Sequence, residues 1–148
     1  MGEWHPLLIA IMTLRRVTYI SRVSPAIASV DLRHISGLAE IQHRRRDLSG
    51  VLAYTGRHFV QVIEGLTRDV DALLELIRAD PRHFDMCILF DDVVPGRQFD
   101  RWYSLHVESP GLIEQVEMTY GSEPDLQGRA EDLLRSLVSQ LRSDDLMP

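Results

Sequence analysis

His58-Phe59-Val60-Gln61-Val62-Ile63-Glu64-Gly65 alternates like a half-buried strand. It is rich enough in β-branched and aromatic residues to sit at the centre of a sheet. Phe59, Gln61 and Ile63 point to one side, and His58, Val60 and Val62 to the other. One face therefore presents a carboxamide between two large apolar side chains. Such a glutamine either faces water at a sheet edge or is buried, and a buried amide needs partners for both its oxygen and its NH2 group. A protein polar network can supply them, and so can a ligand with donors and acceptors along one rim.

Working outward, Gly56-Arg57 turns this strand back onto another over Ser49–Thr55, as a hairpin. Leu14–Ser21 reads as a first strand, with Val17, Tyr19 and Ser21 on one face and Thr18 and Ile20 on the other. Ser24-Pro25 ends it. Residues 31 to 45 have helical periodicity through Leu32, Ile35 and Ala39, with Asp31 near the start. A second amphipathic helix spans Thr67–Ala79, with Val70, Leu73, Leu74 and Ile77 spaced by three and four, and Asp80-Pro81 stops it. Strands over Phe84–Phe90 and Trp102–Val107 complete the order β-α-β-β-α-β-β. Two helices on one face of such a sheet make an α+β, ferredoxin-like sandwich.

The opposite face, bearing Ile20, Val51, Ala53, Val60 and Val62, is too apolar to stand in water. Ala130, Leu133, Leu134, Leu137 and Leu141 line one side of a helix over Gly128–Arg142, and a shorter helix starts at Ser109-Pro110. These C-terminal helices are expected to cover the back of the sheet. Dimer formation through that side, or through those helices, is the alternative. The expected division is an N-terminal extension at 1–13, a sheet domain at 14–107 and a helical cap at 108–148.

A chain of 148 residues, 45% hydrophobic and 26% charged, is the size and composition of one globular domain. Its net charge of −6 argues against a broad nucleic-acid surface. The apolar stretch at residues 6–12 is far short of the ~20 residues a bilayer requires. It also has no basic flank of the kind a signal peptide carries. The single Cys87, among Met86, Ile88, Leu89 and Phe90, reads as a buried structural thiol in a reducing cytoplasm. Neither a metal site nor a nucleophilic triad is suggested, and no glycine-rich phosphate loop adjoins the first strand.

Tyr19 and Gln61 fall on the same, helix-facing side of strands that this topology makes neighbours, so a phenol and an amide can hydrogen-bond there. Ile35 and Ile77 belong to the helices packed over them, and a flat, polar-edged ring fits between. Arg82-His83 after the second helix is either a cationic pair for a phosphate or a helix C-terminal cap.

Taken together, Leu14-x-Arg16-Val17-x-Tyr19-x-Ser21, Asp31-Leu32-x-x-Ile35, Ser49-Gly50-Val51-Leu52-x-Tyr54, Phe59-Val60-Gln61-Val62-Ile63-Glu64-Gly65, Asp80-x-Arg82-His83 and Arg97-x-Phe99-x-x-Trp102 resemble the BLUF domain, the blue-light sensor that uses FAD. The resemblance implies FAD held noncovalently between the two helices by Tyr19, Ser21, Ile35, His43, Leu52, Phe59, Gln61, Ile77, Arg82 and His83. It further implies photoactive roles for Tyr19, Gln61 and Trp102. The tyrosine that Tyr19 matches gives an electron, and with it a proton, to the excited flavin. The matching glutamine then rotates, tautomerises or both, which changes the hydrogen bonds to the ring and shifts absorption to the red. The chain departs from the family pattern at two places. His43 stands where an asparagine usually contacts the ring, and Ser104, beside Leu105, stands where a methionine often follows the tryptophan. The reading implied is a stand-alone cytoplasmic photoreceptor, not an enzyme, that signals to a partner protein. The alternative is a photochemically inactive or flavin-free BLUF-like interaction module.

Overall fold

The computed structural model describes residues 5, 13–25, 47–107, 109–121 and 124–145. The helix expected over 31–45, with Ile35 and His43, lies outside the described residues, as do residues 6–12. Five strands form one sheet: β1 (Leu14–Val23), β2 (Ser49–Tyr54), β3 (His58–Leu66), β4 (His83–Val93) and β5 (Trp102–His106). Their spatial order is β4-β1-β3-β2-β5. The first four follow the antiparallel ferredoxin-like order, and β5 adds parallel to β2. The α+β fold is therefore the one expected. Both β3 and β4 run further than their apolar patterns suggest, through Leu66 and Val93.

Gly56 occupies the first central position of the β2–β3 turn with a φ of 95°, and Thr55 N–H donates to the His58 carbonyl across it. A glycine there is what a two-residue hairpin of this hand requires. In front of the sheet lies α1 (Thr67–Arg78), which buries Val70, Leu73 and Leu74. They pack with Val17, Tyr19, Leu52, Phe59, Ile63 and Trp102 into the front core. Behind the sheet lie α2 (Pro110–Tyr120) and α3 (Leu126–Asp145). Ser109 caps α2 by accepting from Leu112 N–H, with Pro110 at the first helical position. Leu112, Val116, Leu133, Leu137 and Leu141 close over Ile20, Val51, Ala53, Val60 and Val62. Alternation along each strand thus feeds two cores, and eight of the nine residues of β3 are buried. Cys87 departs from expectation in being only half-buried, against the rim of the back core.

Candidate functional site

Tyr19 and Gln61 are direct cross-strand partners. On its other side Gln61 faces Leu52, which in turn faces Ser104, while Tyr19 also faces Ile88. One rung of side chains, Ile88–Tyr19–Gln61–Leu52–Ser104, thus crosses all five strands at the level of the amide. Tyr19 and Gln61 are 3% and 4% exposed, so the edge position open to Gln61 in the sequence is not the one it takes. The Tyr19 hydroxyl donates to Gln61 Oε1. That commits the oxygen end of the amide to the phenol and leaves its NH2 end for another acceptor.

Burial pushes the Tyr19 phenol far above the ordinary tyrosine range, and the nearby Asp80 carboxylate pushes the same way. The phenol is therefore a proton donor at every physiological pH. It cannot lose its proton alone.

Around this pair lie further residues named from the sequence. Ser21, fully buried, is the cross-strand partner of Phe59. The His83 ring lies 6.2 Å from that of Tyr19 and 6.4 Å from that of Phe59, centroid to centroid. Ile77 is half-buried against the front core. Trp102, 3% exposed, pairs with Gly50. Because Gly50 also pairs with Ile63, the indole stands one same-face position along from the Gln61 rung.

Of the two, only His83 meets the carbonyl end of the helix, as a cap does; Arg82 pairs with a side chain instead. Arg82 holds Asp80 through its guanidinium and its backbone N–H. His83 Nε2 lies 2.5 Å from the Ile77 carbonyl at the end of α1. A carbonyl only accepts, so Nε2 donates there, and in the neutral ring Nδ1 is an acceptor.

Two buried polar atoms here, Ser21 Oγ and His83 Nδ1, have no hydrogen-bond partner among the described residues. Leaving such atoms unpaired costs about 1–3 kcal/mol each. A heterocycle with N–H and carbonyl groups on its rim can answer both, so the residues present fit a flavin. His43 falls outside the described residues. Among those described, no cluster of three or more His, Cys, Asp or Glu side chains could hold a metal ion. Among the described residues, no helix is long and apolar enough to cross a membrane.

Two polar networks were not foreseen. Glu64, fully buried, accepts from Arg16 Nε at 2.8 Å, Ser49 Oγ at 3.1 Å, Gln98 N–H at 2.7 Å and Phe99 N–H at 2.9 Å. Arg97 joins it by donating to Ser49 Oγ and to the Asp47 carbonyl. This fixes the loop that delivers Trp102 to β5. On the back face His58, also fully buried, contacts Glu117 of α2. Neither network has a local signal in the sequence, because every partner comes from a distant segment.

The chain is similar to several proteins of known kind. It is 36% identical over 92 residues to the photoactivated adenylate cyclase subunit beta of Euglena gracilis, a span of 61% of this chain and 11% of that protein. To the blue light- and temperature-regulated antirepressor BluF of Escherichia coli (strain K12) it is 33% identical over 73 residues, 47% of this chain and 18% of the relative. The chain thus spans under a fifth of these relatives. Among solved structures, the dark state of the BLUF protein BlrB superposes with a TM-score of 0.69 at 29% identity, covering 85% of this chain and 98% of the other. Klebsiella pneumoniae BlrP1 with FMN and cyclic diGMP superposes at 0.58 and 30% identity, covering 62% and 25% respectively. The family profile for sensors of blue light using FAD matches residues 14–104, more than half of the chain. With that match and the shared fold, this chain belongs to the BLUF family of flavin-using blue-light sensors.

Proposed function

We propose that this chain holds FAD noncovalently against the front of its sheet and switches through Tyr19 and Gln61. The observation that carries the reading is the buried phenol–amide hydrogen bond on a single rung of the sheet. When bound, the flavin supplies light absorption and an electron acceptor. Tyr19 supplies the electron, and its hydroxyl proton, poorly acidic until then, becomes strongly acidic once the electron has left. Gln61 Oε1 already accepts that hydrogen. A proton gained at Oε1 and another passed from Nε2 to the electron acceptor would convert the amide to its imidic-acid form with no net change in its charge, and return of one electron and one proton to Tyr19 would restore the neutral phenol. The side chain then presents donor and acceptor in reversed order, and rotation about its last bond has the same effect. Ser21 Oγ and His83 Nδ1 are positioned to answer polar rim atoms of the chromophore. Phe59, Leu52 and Ile77 supply apolar contact, and Trp102 packs along the same face. Arg82 serves the chromophore's phosphates only by giving up part of its hold on Asp80. The chain would act in the cytoplasm as a sensor without catalytic activity and pass its state to a partner protein.

An absorption spectrum of the FAD-reconstituted protein, in darkness and under blue light, tests this. The wild type should shift reversibly to the red, whereas Tyr19→Phe and Gln61→Leu should keep the flavin and lose the shift. A normal photocycle in either variant, or a wild type that binds flavin without shifting, overturns the mechanism. Chromatography of the chromophore released from protein purified with the flavin it acquired in cells, without reconstitution, separates FAD from FMN.

A further inference from the structure

The pair on the front of the sheet has a counterpart on the back. Three residues along the same two strands from Tyr19 and Gln61, Arg22 and His58 are also direct cross-strand partners. Both reach the same atom of α2. Arg22 NH1 donates to Glu117 Oε1 at 2.6 Å, and His58 Nε2 lies 2.7 Å from it. A carboxylate only accepts, so the imidazole donates. Thr55 Oγ1 lies 3.3 Å from His58 Nδ1 and accepts from the His58 backbone N–H, which holds the ring in place.

Arg22 is fixed from two further sides. Its Nε donates to Asp85 Oδ2 at 3.1 Å, and its guanidinium lies 4.1 Å from the centroid of the Tyr120 ring. Tyr120 itself donates to the Asp85 carbonyl at 2.8 Å. Asp85 has a φ of 57° and sits where β4 carries an extra residue against β1. Three strands therefore converge on one turn of α2.

We propose that Glu117 is the positioning residue that couples the state of the Tyr19–Gln61 pair to the C-terminal helices. Its carboxylate bridges β1 and β3, the two strands that carry the switching side chains. Any change in their spacing or twist at the Tyr19 rung alters the distance between the Arg22 and His58 donors. A single oxygen shared by two donors keeps both bonds only over a narrow range of separations. A larger change in that separation lengthens one of them unless the Glu117 side chain turns or α2 moves. Among the described residues, Arg22 and His58 thus tie the two strands that carry the pair directly to α2 by side-chain hydrogen bonds.

The inference rests on the photoreceptor reading and is tested apart from it, by amide hydrogen exchange of the flavin-loaded full chain in darkness and under blue light. In the wild type, exchange across residues 110–120 should change on illumination. Glu117→Met removes the acceptor at a half-exposed position; it should keep the red shift while the light-dependent difference across 110–120 falls several-fold. Glu117→Gln, which retains an acceptor oxygen at the same reach, should recover part of the difference. Glu114→Met, at an exposed site on the same helix, should behave as wild type. An undiminished difference in Glu117→Met overturns the proposal, and so does a wild type that shifts its spectrum without any change across 110–120. A wild type with no spectral shift removes the photoreceptor reading and the coupling with it.

Discussion

Replacing Glu64 by alanine should be among the most destabilising single changes outside the apolar cores. Its carboxylate accepts from two backbone N–H groups, a serine hydroxyl and an arginine, and no part of the side chain reaches solvent. Without it, Phe99 N–H is stranded in a buried position and Gln98 N–H in a half-buried one, at about 1–3 kcal/mol for a fully buried group. Removing one member of a buried ion pair costs about 3–5 kcal/mol. The Arg16 side chain is 26% exposed and can turn to water, which favours the lower half of that range. With roughly 2–4 °C of Tm per kcal/mol for a chain of this size, the expected loss is on the order of 10 °C. Thermal unfolding followed by circular dichroism in the dark reads it directly. Glu64→Gln keeps one acceptor but turns an NH2 group toward the remaining donors, so it should fall between wild type and alanine. A Tm within about 3 °C of wild type for Glu64→Ala would refute the claim that this carboxylate fastens the β4–β5 loop.

Gly50 has a φ of 142°, and a Cβ there would stand 1.9 Å from the Val62 carbonyl oxygen. Gly50→Ala should therefore cost several kcal/mol, about 1–3 of it from the backbone alone, and a wild-type urea midpoint would contradict this. Ser21→Ala removes a buried hydroxyl that has no partner among the described residues. It should leave the flavin-free protein as stable as wild type or more so, by up to about 1 kcal/mol, and weaken flavin binding in titration. Equal affinity would show that Ser21 does not meet the chromophore. A hydrogen bond from Arg15 holds the Asp91 carboxyl below its ordinary value, and hydrogen bonds from Arg22 and then His58 do the same for Glu117. A depressed folded-state value means stabilisation that is complete above the unfolded value and is lost as pH falls through the folded one. Stability should thus decline below about pH 4, and Arg15→Gln should flatten that decline; an unchanged acid limb would reject the assignment.

The sheet and the Tyr19–Gln61 rung were legible because both follow from alternation. Once Tyr19 and Gln61 fall on the same face of adjacent strands, only the register remains to be settled, and the register sets them opposite one another. The register shifts between β1 and β4, and the extension of β4 to Val93, have no such signature. They depend on how an edge strand accommodates the twist of its neighbour. Glu64 reads in the sequence as the polar end of a strand, yet the strand continues to Leu66, and backbone donors from 34 and 35 residues away make burial of the carboxylate tolerable. His58 reads as one more residue of the back face. Its acceptor lies 59 residues further along the chain. For Arg82 and His83, local chemistry allowed two uses; the coordinates set His83 on the last turn of the helix and Arg82 on the Asp80 carboxylate.

Burial of β3 on both faces limits how the protein can respond to light at all. A slip of one residue against β1 would move Gln61 to the back core and Glu64 into the front one, stranding both among hydrocarbon. Sliding is closed to this strand on energetic grounds. The excursion open to it is the turning of side chains in place, with small adjustments of interstrand distance, so relaxation in darkness needs no part of the sheet to refold.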